Sequence, residues 1–372
     1  MGAILAIALA GCASTPQYPA MRPLTQTHID TMGATRTVVS ENNNGVEKSW
    51  FYTSTASAGA AYGLIGALVT ATMDAIINAG PSRRAQKAAN EIAELITVDA
   101  LNVSLTEQIR QQVVAESATA TGVQVSGVES AQRLTEEGVI DDALTVSTRY
   151  TLSEDSSTLR VVAIATYESA HTPYATPYEF KTVPRAERSG PAYRNTFTYY
   201  SSQLPVPTLT PELRARLIAS IEESARDDAG APPAEGTEQF RAMQRELENA
   251  NDDRLSKDEI AIFLTREWLR DNGALLRTEI EQAHAYVARY VLLDMNRAVV
   301  PSMTGQDDLL ETTETGRSVR RIGAGVEAGS YVSSAGNVTS FSTYGNTIAI
   351  ARAHNERIDD VRDAARGARR GN

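Results

Sequence analysis

The clearest pattern in the chain is an alternation of apolar and polar positions in two adjoining runs. These are Ala143 to Leu152 (A-L-T-V-S-T-R-Y-T-L) and Thr158 to Tyr167 (T-L-R-V-V-A-I-A-T-Y). A period of two puts alternate side chains on opposite faces of a strand, and the polar run Ser153 to Ser157 between them predicts a hairpin. Around Arg36 to Thr55, T-R-T-V-V-S and V-E-K-S-W-F-Y-T-S-T flank E-N-N-N-G, so Asn44-Gly45 predicts a second hairpin. Val123 to Val128 reads as a short strand. Asn195 to Ser201 reads as another, set in a proline-rich irregular connection from His171 to Pro207.

Helical spacing takes over elsewhere. From Ala56 to Ala79, small residues recur every fourth position at Gly59, Gly63, Ala67, Ala71 and Ala75. Such a stripe lets another backbone approach closely, inside a membrane or in a soluble fold. Asp74 and Asn78 interrupt the run and favour soluble packing. A second helix is expected after Pro81, to about Ile96. Leu101, Val103 and Leu105 alternate as in a strand, while Leu105, Ile109 and Val113 share one face of a helix. Thr210-Pro211-Glu212 is a helix start, with a capping residue and then Pro at the first position. Further helices are expected at about 237–249, 256–271 and 274–299. The Gly/Ser-rich end, 316–350, predicts a β-hairpin turning near Ala335-Gly336-Asn337, then a polar Arg/Asp-rich helix from about Ala349.

These elements predict an α+β fold: a small mixed-sheet α/β domain with a Gly/Ala-rich packing helix, a C-terminal helical bundle and a terminal β-hairpin. The expected segments are a leader at 1–11, a tether at 12–27, the α/β domain at 28–207, a helical region at 208–300, and the hairpin with its polar helix at 301–372. The order helix, short strand, long hairpin resembles the small α/β domains of several envelope lipoproteins and secretion-channel subunits.

Composition narrows the function. With 372 residues, 42% hydrophobic and 22% charged, the chain is long and apolar enough for a sizeable core. The net charge of -11 opposes binding to a phosphate backbone, so no nucleic-acid partner is expected. The exception is the arginine-rich tail, from Arg352 through Arg357, Arg362 and Arg366 to Arg369 and Arg370. The single cysteine rules out an internal disulfide and a cysteine-based zinc site.

That cysteine has another role. Met1 to Ala10 is an uninterrupted apolar stretch of signal-peptide length, too short to span a bilayer, and it leads into Leu9-Ala10-Gly11-Cys12. This resembles the lipobox of bacterial lipoproteins, although the Lys or Arg that customarily precedes the apolar stretch is absent. The resemblance implies lipidation at Cys12, cleavage before it, and a membrane anchor made of several acyl chains. Ala13-Ser14, with no Asp after the cysteine, resembles lipoproteins passed on to the outer membrane, and implies an inner-leaflet position facing the periplasm. The proline-rich stretch Ala13 to Thr27 suits an extended tether.

Catalytic and metal motifs are sparse. His28, His171, His284 and His354 are far apart, and no G-x-S-x-G elbow occurs. Gly323-Ala324-Gly325 lacks the strand–turn–helix context of a phosphate loop. The stretch from Asn249 to Glu259 resembles an EF-hand loop, with Asn249, Asn251, Asp253 and Glu259 as candidate calcium ligands. It lacks the glycine of the sharp turn and the alternating ligand spacing, so a helix–helix turn capped by Ser256, with Glu259 three residues on, is the expected reading. No cofactor, no metal and no enzymatic activity are expected. The sequence points to a lipid-anchored binding or scaffold protein with a protein partner in the envelope. The alternative is a subunit of an outer-membrane secretion or channel assembly, with helix 56–79 or the terminal hairpin touching the membrane.

Overall fold

The computed structural model describes Met21 and residues 34–41, 45–48, 87–117, 124–130, 144–153, 155–167, 193–205, 207–227, 229–252, 255, 257–295, 305–325 and 327–335. The expected leader, 56–79 helix and arginine-rich tail lie outside these residues, as does the expected tether apart from Met21, which is buried. The fold is α+β. Its strands are β1 (Ala34–Glu41), β2 (Val46–Lys48), β3 (Gln124–Ser130), β4 (Leu144–Leu152), β5 (Leu159–Tyr167), β6 (Tyr193–Tyr200), β7 (Asp308–Thr312), β8 (Arg317–Arg321) and β9 (Tyr331–Ala335). They form one mixed sheet in the order β3-β1-β4-β5-β6-β9-β8-β7, with β2 also on β4. Strands before residue 201 and after residue 307 therefore share a single sheet.

The β4–β5 hairpin forms as the alternation predicts, from Leu144 opposite Tyr167 to Leu152 opposite Leu159. The Asn44-Gly45 hairpin does not form. β1 and β2 both run parallel to β4, with Val38 beside Leu144 and Val46 beside Tyr150. β1 and β2 are thus two stretches laid along the same strand, and resuming on β4 buries Val46. The strand expected at 195–201 forms, as β6. β6 lies in the middle of the sheet, antiparallel to β5 and parallel to β9.

The helices are α1 (residues 87–95), α2 (Val98–Ser117), α3 (Pro211–Ser224), α4 (Glu238–Ala250) and α5 (Lys257–Met295). In α2 the helical alternative wins: Leu101, Leu105 and Ile109 are buried on one face, and Val103 is exposed. Thr210 and Thr237 cap α3 and α4, their hydroxyls accepting from Leu213 N and Phe240 N. α5 has two arms, as the sequence predicts. Asp271, Asn272 and Gly273 are left-handed, with φ of 54°, 57° and 69°. A Cβ at Gly273 would lie 2.3 Å from Leu95 Cδ2, so this turn also sets how tightly the end of α1 packs on it.

The second arm of α5 and helix α2 cover one face of the sheet. There Tyr150, Val161, Phe197 and Tyr199 meet Leu105, Ile280 and Val287 in the main core. α3, α4 and the first arm of α5 close around a separate core of Leu217, Ile221, Leu255, Ile260 and Leu264. A hairpin forms ahead of the predicted turn, whose Gly336 and Asn337 lie outside the described residues. Ala335 ends β9 opposite Arg317, and the chain reverses between Arg321 and Tyr331, where Gly329 takes a φ of 89°. β7 was not predicted; it pairs with β8 through a bulge between Leu309 and Glu311. Among the described residues, no helix is long and apolar enough to cross a membrane.

Candidate functional site

Three buried ionisable side chains, Glu279, His284 and Asp294, lie along the second arm of α5, and each fastens that helix to the sheet or to α2. Near its start, Glu279 Oε2 accepts from Tyr199 Oη at 2.6 Å and sits 3.5 Å from Arg317 Nη2. The Arg317 guanidinium lies 4.2 Å from the centre of the Tyr199 ring, so it neutralises Glu279 and stacks on the tyrosine together. Burial raises the Tyr199 pKa, and the Glu279 carboxylate adds to the rise against the opposing pull of Arg317.

One turn further, the His284 ring is fully buried. Its Nε2 lies 2.5 Å from Tyr150 Oη, and its Nδ1 lies 2.9 Å from Ser104 Oγ on α2. Burial pushes its pKa down to about 3, so the imidazole is neutral. A neutral ring donates through one nitrogen and accepts through the other, and therefore satisfies both hydroxyls in either tautomer. The Ser–His–Tyr order is that of a proton relay, but the ring is sealed between helix and sheet. Its geometry is that of a core histidine with both nitrogens satisfied.

At the far end, Asp294 accepts from Tyr193 Oη at 2.8 Å, Asn195 Nδ2 at 2.7 Å and Tyr331 Oη at 2.7 Å. Burial raises its pKa, opposed by these three donors and by the Arg321 charge. One carboxylate thus binds β6, β9 and the helix together. Close by, Tyr290 Oη and Arg289 Nη1 both reach Glu311 Oε2, at 2.8 and 2.9 Å, and hold edge strand β7 against the helix.

The open feature lies elsewhere. A groove of about 580 Å³ runs between α1, α3 and the first arm of α5. Its floor is apolar, with Leu213, Leu217, Leu255, Ile262 and Phe263 among the lining side chains. Its charged lining residues balance in sign: Lys87, Arg216, Arg266 and Arg270 against Glu91, Glu223, Glu259 and Glu267. Lys87 Nζ and Glu223 Oε1 meet at 3.2 Å, tying α1 to α3 through two largely exposed side chains that contribute little stability. Ser220 also lines the groove. It is 5% exposed, and its hydroxyl has no hydrogen-bond partner among the described residues.

No protein-family model matches the chain, and no curated protein or solved structure matches it. The reading of the groove rests on its own geometry.

Of the calcium candidates, three lie among the described residues. Asn249 and Asn251 are exposed at the end of α4, Glu259 is buried in the groove, and Asp253 and Ser256 lie outside the described residues. Among the described residues, no group of three or more His, Cys, Asp or Glu side chains is placed to hold a metal ion. His28, His171, His354 and Cys12 also lie outside them. Sequence reasoning singled out Glu259 and missed Ser220, which interrupts the apolar face between Leu217 and Ile221. A polar residue inside an apolar stripe was the available signal.

Proposed function

We propose that this chain is a lipoprotein of the cell envelope, acylated at Cys12 and held on the inner leaflet of the outer membrane, facing the periplasm. In this reading it works by binding another envelope protein, or by steadying an assembly, without catalysing a reaction. The Leu9-Ala10-Gly11-Cys12 sequence supports the anchor. The observation that carries the binding half is the groove between α1, α3 and α5. Its apolar floor with charges of both signs matches the way protein interfaces combine an apolar core with a polar rim. The buried Ser220 hydroxyl adds a group that a partner could satisfy.

The test is retention of a partner by the full acylated chain purified in mild detergent. Phe263 is half-buried in the groove, so Phe263→Arg is expected to weaken retention of a co-purifying protein at least about tenfold while the chain still folds. Partners retained equally by parent and variant would count against the groove as the binding surface.

A further inference from the structure

The sheet has a second face, opposite α2 and α5. Along β4, β5 and β6 every second residue points there, and the registers place these residues in cross-strand rows. One end row is Thr151, Arg160 and Tyr200, and the next is Arg149, Val162 and Thr198. Then come Ser147, Ile164 and Thr196, and at the other end Thr145, Thr166 and Arg194. All but Tyr200, which is buried against Ile322 and Val332, are half-buried or exposed, whereas the residues between them are buried in the core. The face is therefore a Thr/Ser lattice with Val162 and Ile164 at its centre and an arginine in three of its four rows.

Charge sets this surface apart in a chain of net charge -11. Arg149 is held by Glu47 of the adjoining β2, through Nη2 and Oε2 at 2.5 Å. Arg160 and Arg194 form no ion pair among the described residues, and these three strands place no carboxylate on this face. Six residues of β5 separate the rows of the two free arginines, about 20 Å along the strand.

We infer that this sheet face is a docking surface for an acidic protein partner, whose carboxylates meet Arg160 and Arg194 while an apolar side chain rests on Val162 and Ile164. Arginines around an apolar centre are the usual make-up of a protein interface. An anionic lipid surface is the weaker match, because each cation adds only on the order of fivefold there and the flat hydroxyl lattice offers nothing to insert. A second copy through the same face would set Arg160 and Arg194 against their own kind. Three strands about 14 Å across and about 27 Å long make a small contact, so a weak complex is expected. The surface is separate from the α1–α3–α5 groove, and the two stand or fall independently.

Photo-cross-linking in the host captures weak complexes. The full chain, with p-benzoylphenylalanine in place of Thr196, is expected to give a protein adduct whose cross-linked peptide is rich in Asp and Glu by mass spectrometry. Arg160→Glu with Arg194→Glu should cut its yield at least about tenfold, and Arg160→Lys with Arg194→Lys should retain most of it. If the glutamate pair lowers the melting temperature, Arg160→Gln with Arg194→Gln takes its place. No protein adduct, an adduct of lipid mass, an adduct with a second copy of this chain, or a yield indifferent to charge reversal would each overturn the proposal. Phe263→Arg in the groove should leave this adduct unchanged, which separates its failure from that of the groove.

Discussion

Asp294→Ala is expected to lower the free energy of unfolding by about 3–5 kcal/mol. The cost comes from what stays behind. Tyr193, Asn195 and Tyr331 all donate to this carboxylate inside the protein, and without it three buried donors lose their acceptor. Tyr331→Phe removes one donor and leaves the carboxylate two others, so it should cost only about 1 kcal/mol through this contact. Urea titration of the two variants beside the parent measures both. A loss below about 1 kcal/mol for Asp294→Ala would mean that Asp294 does not fasten α5 to β6 and β9.

The second large effect is on acid stability, through His284. Its folded pKa is depressed to about 3, against 6.5 for an unperturbed histidine. The unfolded chain takes up a proton below 6.5 that the folded chain refuses until about 3. Stability from this residue is therefore present at neutral pH and falls by about 1.4 kcal/mol for each unit the pH drops through that window. Asp294 acts in the opposite sense, because its raised pKa makes the folded chain the better proton acceptor above 3.8. The parent's own pH curve mixes both contributions, and comparison with His284→Gln isolates one. The parent's advantage over His284→Gln is expected to shrink by about 3 kcal/mol between pH 7 and pH 4.5. Parallel curves for the two proteins would contradict a buried neutral imidazole.

The sequence reveals this architecture where one physical signal dominates. β4 and β5 alternate cleanly because one face is buried and the other is not. The starts of α3 and α4 are legible because Thr210 and Thr237 cap in the expected positions. The break in α5 is legible because Asp271-Asn272-Gly273 takes left-handed backbone that few other sequences tolerate. Long-range pairing is different. Asn44-Gly45 suits a hairpin locally, but β4 offers a pairing edge to both β1 and β2, and nothing local reports it. β7 escaped notice because it is an edge strand, mostly exposed, and its bulge breaks the alternation. The central place of β6 was hidden by the prolines around it. The buried seam was hidden more deeply still: Glu279, His284 and Asp294 become one set only when strands up to about 130 residues away supply their tyrosines.

Where the protein works depends on its mature amino terminus, and intact-mass and peptide mass spectrometry of the protein purified from its host reads this directly. The account predicts a chain that begins at Cys12, with acyl chains on its sulfur and its amine, and a Cys12→Ala form that carries none. A mature chain that begins at another residue, or a Cys12 without lipid, would contradict it.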